Sequence, residues 1–179
     1  WLAQYVREDL LDTFVKIEIA LGLVGGLSAV LLYAAYAWTQ YYYPAMLVVI
    51  ATISTLVGME IPLLTRVIER GRGIRQGLSD VLATDYVGAL AASLLFPFIL
   101  LPYLGHLLTA FAIGAVNLLV ALVVLWHFRK HLKQASLWLS GGLVAAALLV
   151  LGTYFTPSFT QILERALYQD PVIFSTQSP

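Results

Sequence analysis

"FVKIEIALGLVGGLSAVLLYAAYAW" (14–38) decides the class of this protein. Two charges, Lys16 and Glu18, stand at its start, and the rest is apolar or small. A helix needs about 20 residues to cross a hydrocarbon layer about 30 Å thick, so this stretch is long enough to do so. Four more of similar length follow, at about 44–64, 81–101, 107–128 and 137–155. Across the whole chain 60% of residues are hydrophobic, 11% are charged, and the mean hydropathy is +0.86. A water-soluble domain needs far more charge than that to cover its surface. The expected architecture is therefore all-α and integral to a membrane, a bundle of about five transmembrane helices over 14–155.

The joins carry turn or charge signals: "YYYP", "ERGRGIRQG", "PYLGH" and "RKHLKQ". Gly71, Gly73 and Gly77 mark the second as a loop. Nine of the ten Lys/Arg residues fall on one side of this arrangement, and Arg165 alone on the other. Arg7 and Lys16 precede the first span. Arg66, Arg70, Arg72 and Arg75 lie between the second and third, and Arg129, Lys130 and Lys133 between the fourth and fifth. The positive-inside rule then puts the N-terminal segment (1–13) in the cytoplasm and the residues after Phe155 outside. Trp38, Tyr41, Tyr42, Tyr43, Tyr103 and Tyr154 fit the outer interface, Trp126 and Trp138 the inner one.

Residues 156–179 read differently. Ser158 and Gln161 have the spacing of a capping box, and Phe159, Ile162, Leu163, Ala166 and Leu167 share a helical face. A short amphipathic helix is expected there, stopped by Pro171, followed by a strand-like run at Val172, Ile173 and Phe174.

Ionisable groups inside spans are functional candidates because burying them is expensive. Glu18, Glu60 and Asp85 all lie near the cytoplasmic ends of their helices, with Lys16 and Arg66 the nearest cations. Glu18 lines up with Gly22, Gly25 and Gly26, and Asp85 with Gly88, Ala89 and Ala92. Small residues at helical spacing suit close helix packing. Two readings stand: a cation, polyamine or proton site, or a hydrogen-bonded, salt-bridged knot that fixes the helices. Shallow depth and neighbouring cations favour the knot. Pro62 removes a backbone donor and is expected to kink its helix. Asn117, in mid-span, suits an interhelical hydrogen bond. His127 and His131 stand four apart, but without an acidic third ligand they read as the basic end of a span, not a metal pair. With no cysteine, thiol chemistry is excluded. No phosphate loop, dinucleotide fingerprint or nucleophile–base pair is present, and zero net charge without basic–aromatic runs disfavours nucleic acid.

"GMEIPLLTRVIERGR", "DVLATDYVGALAASLLFPFILLPYLG" and "YQDPVIFSTQSP" resemble the membrane region of the bacterial membrane-bound spermidine synthases, or polyamine aminopropyltransferases. The resemblance runs from about Asp9 to Pro179 and rests mainly on Glu60–Pro62 and Asp85–Ala89. It implies a bacterial inner-membrane anchor and scaffold without catalytic residues of its own. About two helices would precede Trp1, which is not an initiator methionine. A soluble domain using decarboxylated S-adenosylmethionine would follow Pro179, with the terminal strand opening it. Partners would then be the lipid bilayer, other membrane helices or subunits, and that further domain. The resemblance implies cytosolic substrates, whereas charge bias places the C-terminal end outside; the two expectations conflict. A non-enzymatic membrane subunit and a small polyamine or cation transporter are the alternatives.

Overall fold

The computed structural model describes residues 10–39, 41–72, 74–130 and 132–167. These are almost wholly helical: α1 (Leu10–Trp38), α2 (Tyr42–Arg72), α3 (Ile74–Leu95), a π-helical turn (Phe96–Leu100), α4 (Leu101–Phe128) and α5 (Ala135–Leu167). Four helical runs are long and apolar enough to cross a membrane: Leu10–Trp38, Tyr42–Arg66, Leu78–Phe128 and Ala135–Ile162. The all-helical class read from sequence stands. The strand-like run at 172–174 lies outside the described residues, as do residues 1–9 and His131.

α1 is the centre. One face carries Val15 and Ile19 against Phe111, Leu118, Ala121 and Leu125 of α4 and Ala145 and Leu149 of α5. Another carries Leu10, Ile17 and Leu21 against Leu63 of α2. Contacts between ring systems and glycines set the directions. Tyr33 of α1 meets His106 at the start of α4, with ring centroids 6.5 Å apart, while Gly22 and Gly26 meet Gly114 further down. The two helices are therefore antiparallel. Asp12 bonds to the start of α5 and Trp38 packs on Phe159 near its end, so α1 and α5 run parallel. α3 touches α2 and the π-helical turn but no other element among the described residues.

The structure redraws three features read from sequence. First, the stretches 81–101 and 107–128 lie in one helical run of 51 residues that folds back on itself at Gly105. Pro97 cannot donate to the ladder, and the backbone responds by widening: the N–H of Leu101 donates to the Phe96 carbonyl, a π-type bond. Gly105 then takes φ 69° and ψ −177°, a conformation essentially confined to glycine. The turn is closed by the Thr109 hydroxyl, which donates to the Leu100 carbonyl at 3.0 Å. Gly105→Ala should therefore destabilise the fold by about 1–3 kcal/mol, seen as a lower Tm in detergent; an unchanged Tm would show that the turn does not need this conformation.

Second, helix continues from Tyr42 to Arg72 and resumes at Ile74, so the arginine-rich join is helical on both sides of Gly73 instead of an extended loop. A helix satisfies its own backbone hydrogen bonds, so it can outrun its apolar stretch and carry arginines onward. Third, α5 passes without a break through Phe155 and Pro157 to Leu167. Ser158 is thus inside a helix and caps nothing. The Thr156 hydroxyl donates to the Gly152 carbonyl at 2.9 Å and that of Thr160 to the Thr156 carbonyl at 2.9 Å, back-bonds of the kind that bend a helix slightly.

Candidate functional site

Glu18, Glu60 and Asp85 lie along the successive α1–α2 and α2–α3 contacts. Glu18 is buried, 6% exposed, on the α2-facing side of α1. Glu60 is half-buried on α2 and lies within electrostatic reach of both Glu18 and Asp85. Asp85 is exposed, at the edge of a cleft of about 380 Å³ between α2 and α3 that Glu60, Ile61, Leu64, Asp80, Val81 and Thr84 also line. The three carboxylates read from sequence are thus a string passing from helix to helix, with Asp80 added beside them. They do not form a cage: among the described residues no group of three or more His, Cys, Asp or Glu side chains could hold a metal ion.

The cations expected beside them part company. Arg66 is half-buried, two helical turns after Glu60. Lys16 belongs elsewhere: its Nζ lies over the Trp138 ring, 5.1 Å from the centroid. Positions two apart on a helix point roughly 160° apart, so Lys16 and Glu18 cannot share a face.

The small residues divide in the same way. Gly22 and Gly26 stand roughly 40° and 80° round α1 from Glu18 and face α4 and α5. A Cβ on Gly22 would lie 2.7 Å from Leu118 Cγ, and one on Gly26 would lie 2.6 Å from Leu149 Cδ2. These glycines lie in a close helix contact, at an interface separate from the carboxylates. Gly25 has open space around it. Gly88 and Ala92 are both exposed, a Cβ on Gly88 would meet nothing within 4 Å, and among the described residues no helix packs on that part of α3. Spacing identifies residues that permit close approach, but the approaching helix must also be there. Asn117 is half-buried on α4 and makes no hydrogen bond to another described side chain.

Two important residues were not singled out by their sequence pattern. Gly114 completes the α1–α4 contact, for which its spacing from Ala110 was an available signal. Asp12 is buried, and its carboxylate accepts from the backbone N–H groups of Lys133 (3.1 Å) and Gln134 (3.4 Å) and from Trp138 Nε1 (2.9 Å). A residue of the first turn of α1 therefore caps α5 across more than a hundred residues of chain. No local signal reports such a pairing.

Fold and site together define an all-helical bundle of apolar helices that carries a string of carboxylates and no assembled nucleophile, base or metal cage among the described residues. No family profile matches the chain, and no solved structure does. Curated proteins do match it along its whole length, and they bear out the resemblance drawn from its motifs. A protein of Leptospira interrogans named polyamine aminopropyltransferase is 36% identical over 99% of this chain, and polyamine aminopropyltransferase 2 of Ralstonia nicotianae is 42% identical over 100% of it. Polyamine aminopropyltransferase 1 of Streptomyces coelicolor is 39% identical over 97%. The chain spans about a third of the length of these relatives: 36%, 36% and 34% respectively.

Proposed function

We propose that this chain is the membrane-embedded, non-catalytic part of an aminopropyltransferase, and that it anchors and positions an enzyme domain carried elsewhere in the protein. The observation that carries this reading is the match of the entire chain, nearly all apolar helix, to one third of relatives named for a transferase. The fold-back at Gly105 makes the 51-residue run two crossings, giving five in all. Charge bias favours a cytoplasmic N-terminus and cytoplasmic joins at 66–77 and 129–134. Decarboxylated S-adenosylmethionine and the amine acceptor would bind in the enzyme domain, so no residue of this chain touches the reacting atoms.

On this reading the carboxylate string takes no part in the reaction. Glu18→Gln keeps the shape of the side chain while removing a buried charge that has another carboxylate in reach, so it should not lower the Tm. The test uses the full-length protein in washed membranes, assayed for aminopropyl transfer from decarboxylated S-adenosylmethionine to a diamine. Wild type should remain with the membrane after carbonate extraction and be active. Glu18→Gln and Asp85→Asn should keep activity within about twofold, a change worth roughly 0.4 kcal/mol. Inactivity of intact wild type would sink the transferase reading. A large loss in either variant at normal Tm would show that the carboxylates serve the reaction or a cation path.

A further inference from the structure

The corner where α4 passes into α5 carries exposed cations beside an exposed indole. Arg129 and Lys130 follow the last turn of α4, and both are exposed. Lys16 reaches in from α1 over the Trp138 ring. Asp12 is the acidic side chain here among the described residues. Its two oxygens already face the N–H groups of Lys133, Gln134 and Trp138, leaving them poorly placed to pair with Arg129 or Lys130.

This charge adjoins an apolar shelf. Trp126 is 79% exposed, with Phe128 exposed beside it in sequence and Leu137 exposed in the first turn of α5. Arg129 keeps helical backbone angles (φ −52°, ψ −29°), so Trp126, Arg129 and Lys130 continue one face at three- and four-residue spacing. An indole suits the boundary between headgroups and acyl chains, and cations just beyond it lie at phosphate depth.

We propose that this corner binds the headgroup of an anionic phospholipid, with Arg129, Lys130 and Lys16 holding the phosphate and Trp126 resting along the lipid's apolar edge. A free phosphate would use the cations but gain nothing from the exposed indole, and the pairing of the two selects the lipid. The inference rests on the reading that α4 ends at a bilayer surface.

The test places full-length protein in nanodiscs of equal parts phosphatidylglycerol and phosphatidylcholine and weighs the lipids it retains by native mass spectrometry. Wild type should retain phosphatidylglycerol in preference to phosphatidylcholine. Each cation removed should lower that preference by roughly fivefold at low ionic strength, so that Lys16→Gln, Arg129→Gln and Lys130→Gln together abolish it. These side chains are exposed, so the Tm should hold; the pair Arg129→Gln and Lys130→Gln, which leaves the lysine–indole contact intact, gives a second reading. Arg70→Gln, Arg72→Gln and Arg75→Gln remove the same charge from the α2–α3 connection and should leave the preference in place. Equal loss in both sets would reduce the effect to general surface charge and overturn the proposal. Displacement of the lipid by millimolar inorganic phosphate would overturn it in favour of a soluble anion. Failure to enter nanodiscs at all would instead refute the membrane reading beneath it.

Discussion

Gly114→Ala should lower the Tm of the bundle by on the order of 10 °C, more than the same change at Gly22 or Gly26. A Cβ on Gly114 would stand 2.5 Å from the Gly22 carbonyl oxygen, 2.7 Å from Gly26 Cα and 3.0 Å from Gly26 N. All three are backbone atoms of α1, so no rotamer change relieves the overlap and the helices must separate. At Gly26 the nearest atom is the tip of Leu149, and at Gly22 it is in the Leu118 side chain. These can swing aside, at least in part. Overpacking typically costs about 1–3 kcal/mol, and Gly114 belongs at the upper end because α1 and α4 also share the main buried cluster. Gly88→Ala is the control: its Cβ enters open space, and better helix propensity should leave it neutral or stabilised by up to about 1 kcal/mol. Thermal melts in detergent, followed by tryptophan fluorescence, measure all four. Melting of Gly114→Ala together with wild type would mean that α1 and α4 do not meet at backbone contact.

Asp12→Ala should be of similar severity for a different reason. It strips the acceptor from two backbone N–H groups at the start of α5 and from the Trp138 indole at once. Losing a helix cap costs about 0.5–2 kcal/mol, and a buried donor left without a partner adds about 1–3 kcal/mol. A loss of roughly 2–4 kcal/mol follows, moderated where water reaches the exposed side of the corner. Asp12→Asn retains one carbonyl oxygen and should lose about half as much. Amide hydrogen exchange gives the specific readout. Protection at Lys133 and Gln134 should fall in Asp12→Ala, ahead of any change in the middle of α5. Unchanged exchange there would mean that the cap is not formed in solution.

Each of these effects belongs to a pairing between distant segments, and there the reading of sequence stopped. The apolar helices were legible because nearly continuous apolar runs of membrane length admit few other folds. The carboxylates were legible as a group because each is an ionisable residue in an apolar run. Their placement as a string, with Lys16 on another face and Gly22 and Gly26 turned to α4, was not. Helical drift separates residues that look aligned when counted by fours. Gly88 and Ala92 have the same spacing as the packing glycines of α1, yet lie exposed, with no helix against them among the described residues.

The sequence by itself determined the all-helical class, the apolar stretches and the resemblance to aminopropyltransferases, since composition, length and motif are properties of the chain read in order. Tertiary structure alone decided that Asp12 caps α5, that Gly114 meets Gly22 and Gly26, and that two apolar stretches are one run folded at Gly105. The first two depend on which helix faces lie against each other. The third depends on how a proline's missing donor and a glycine's freedom are resolved where the backbone turns back.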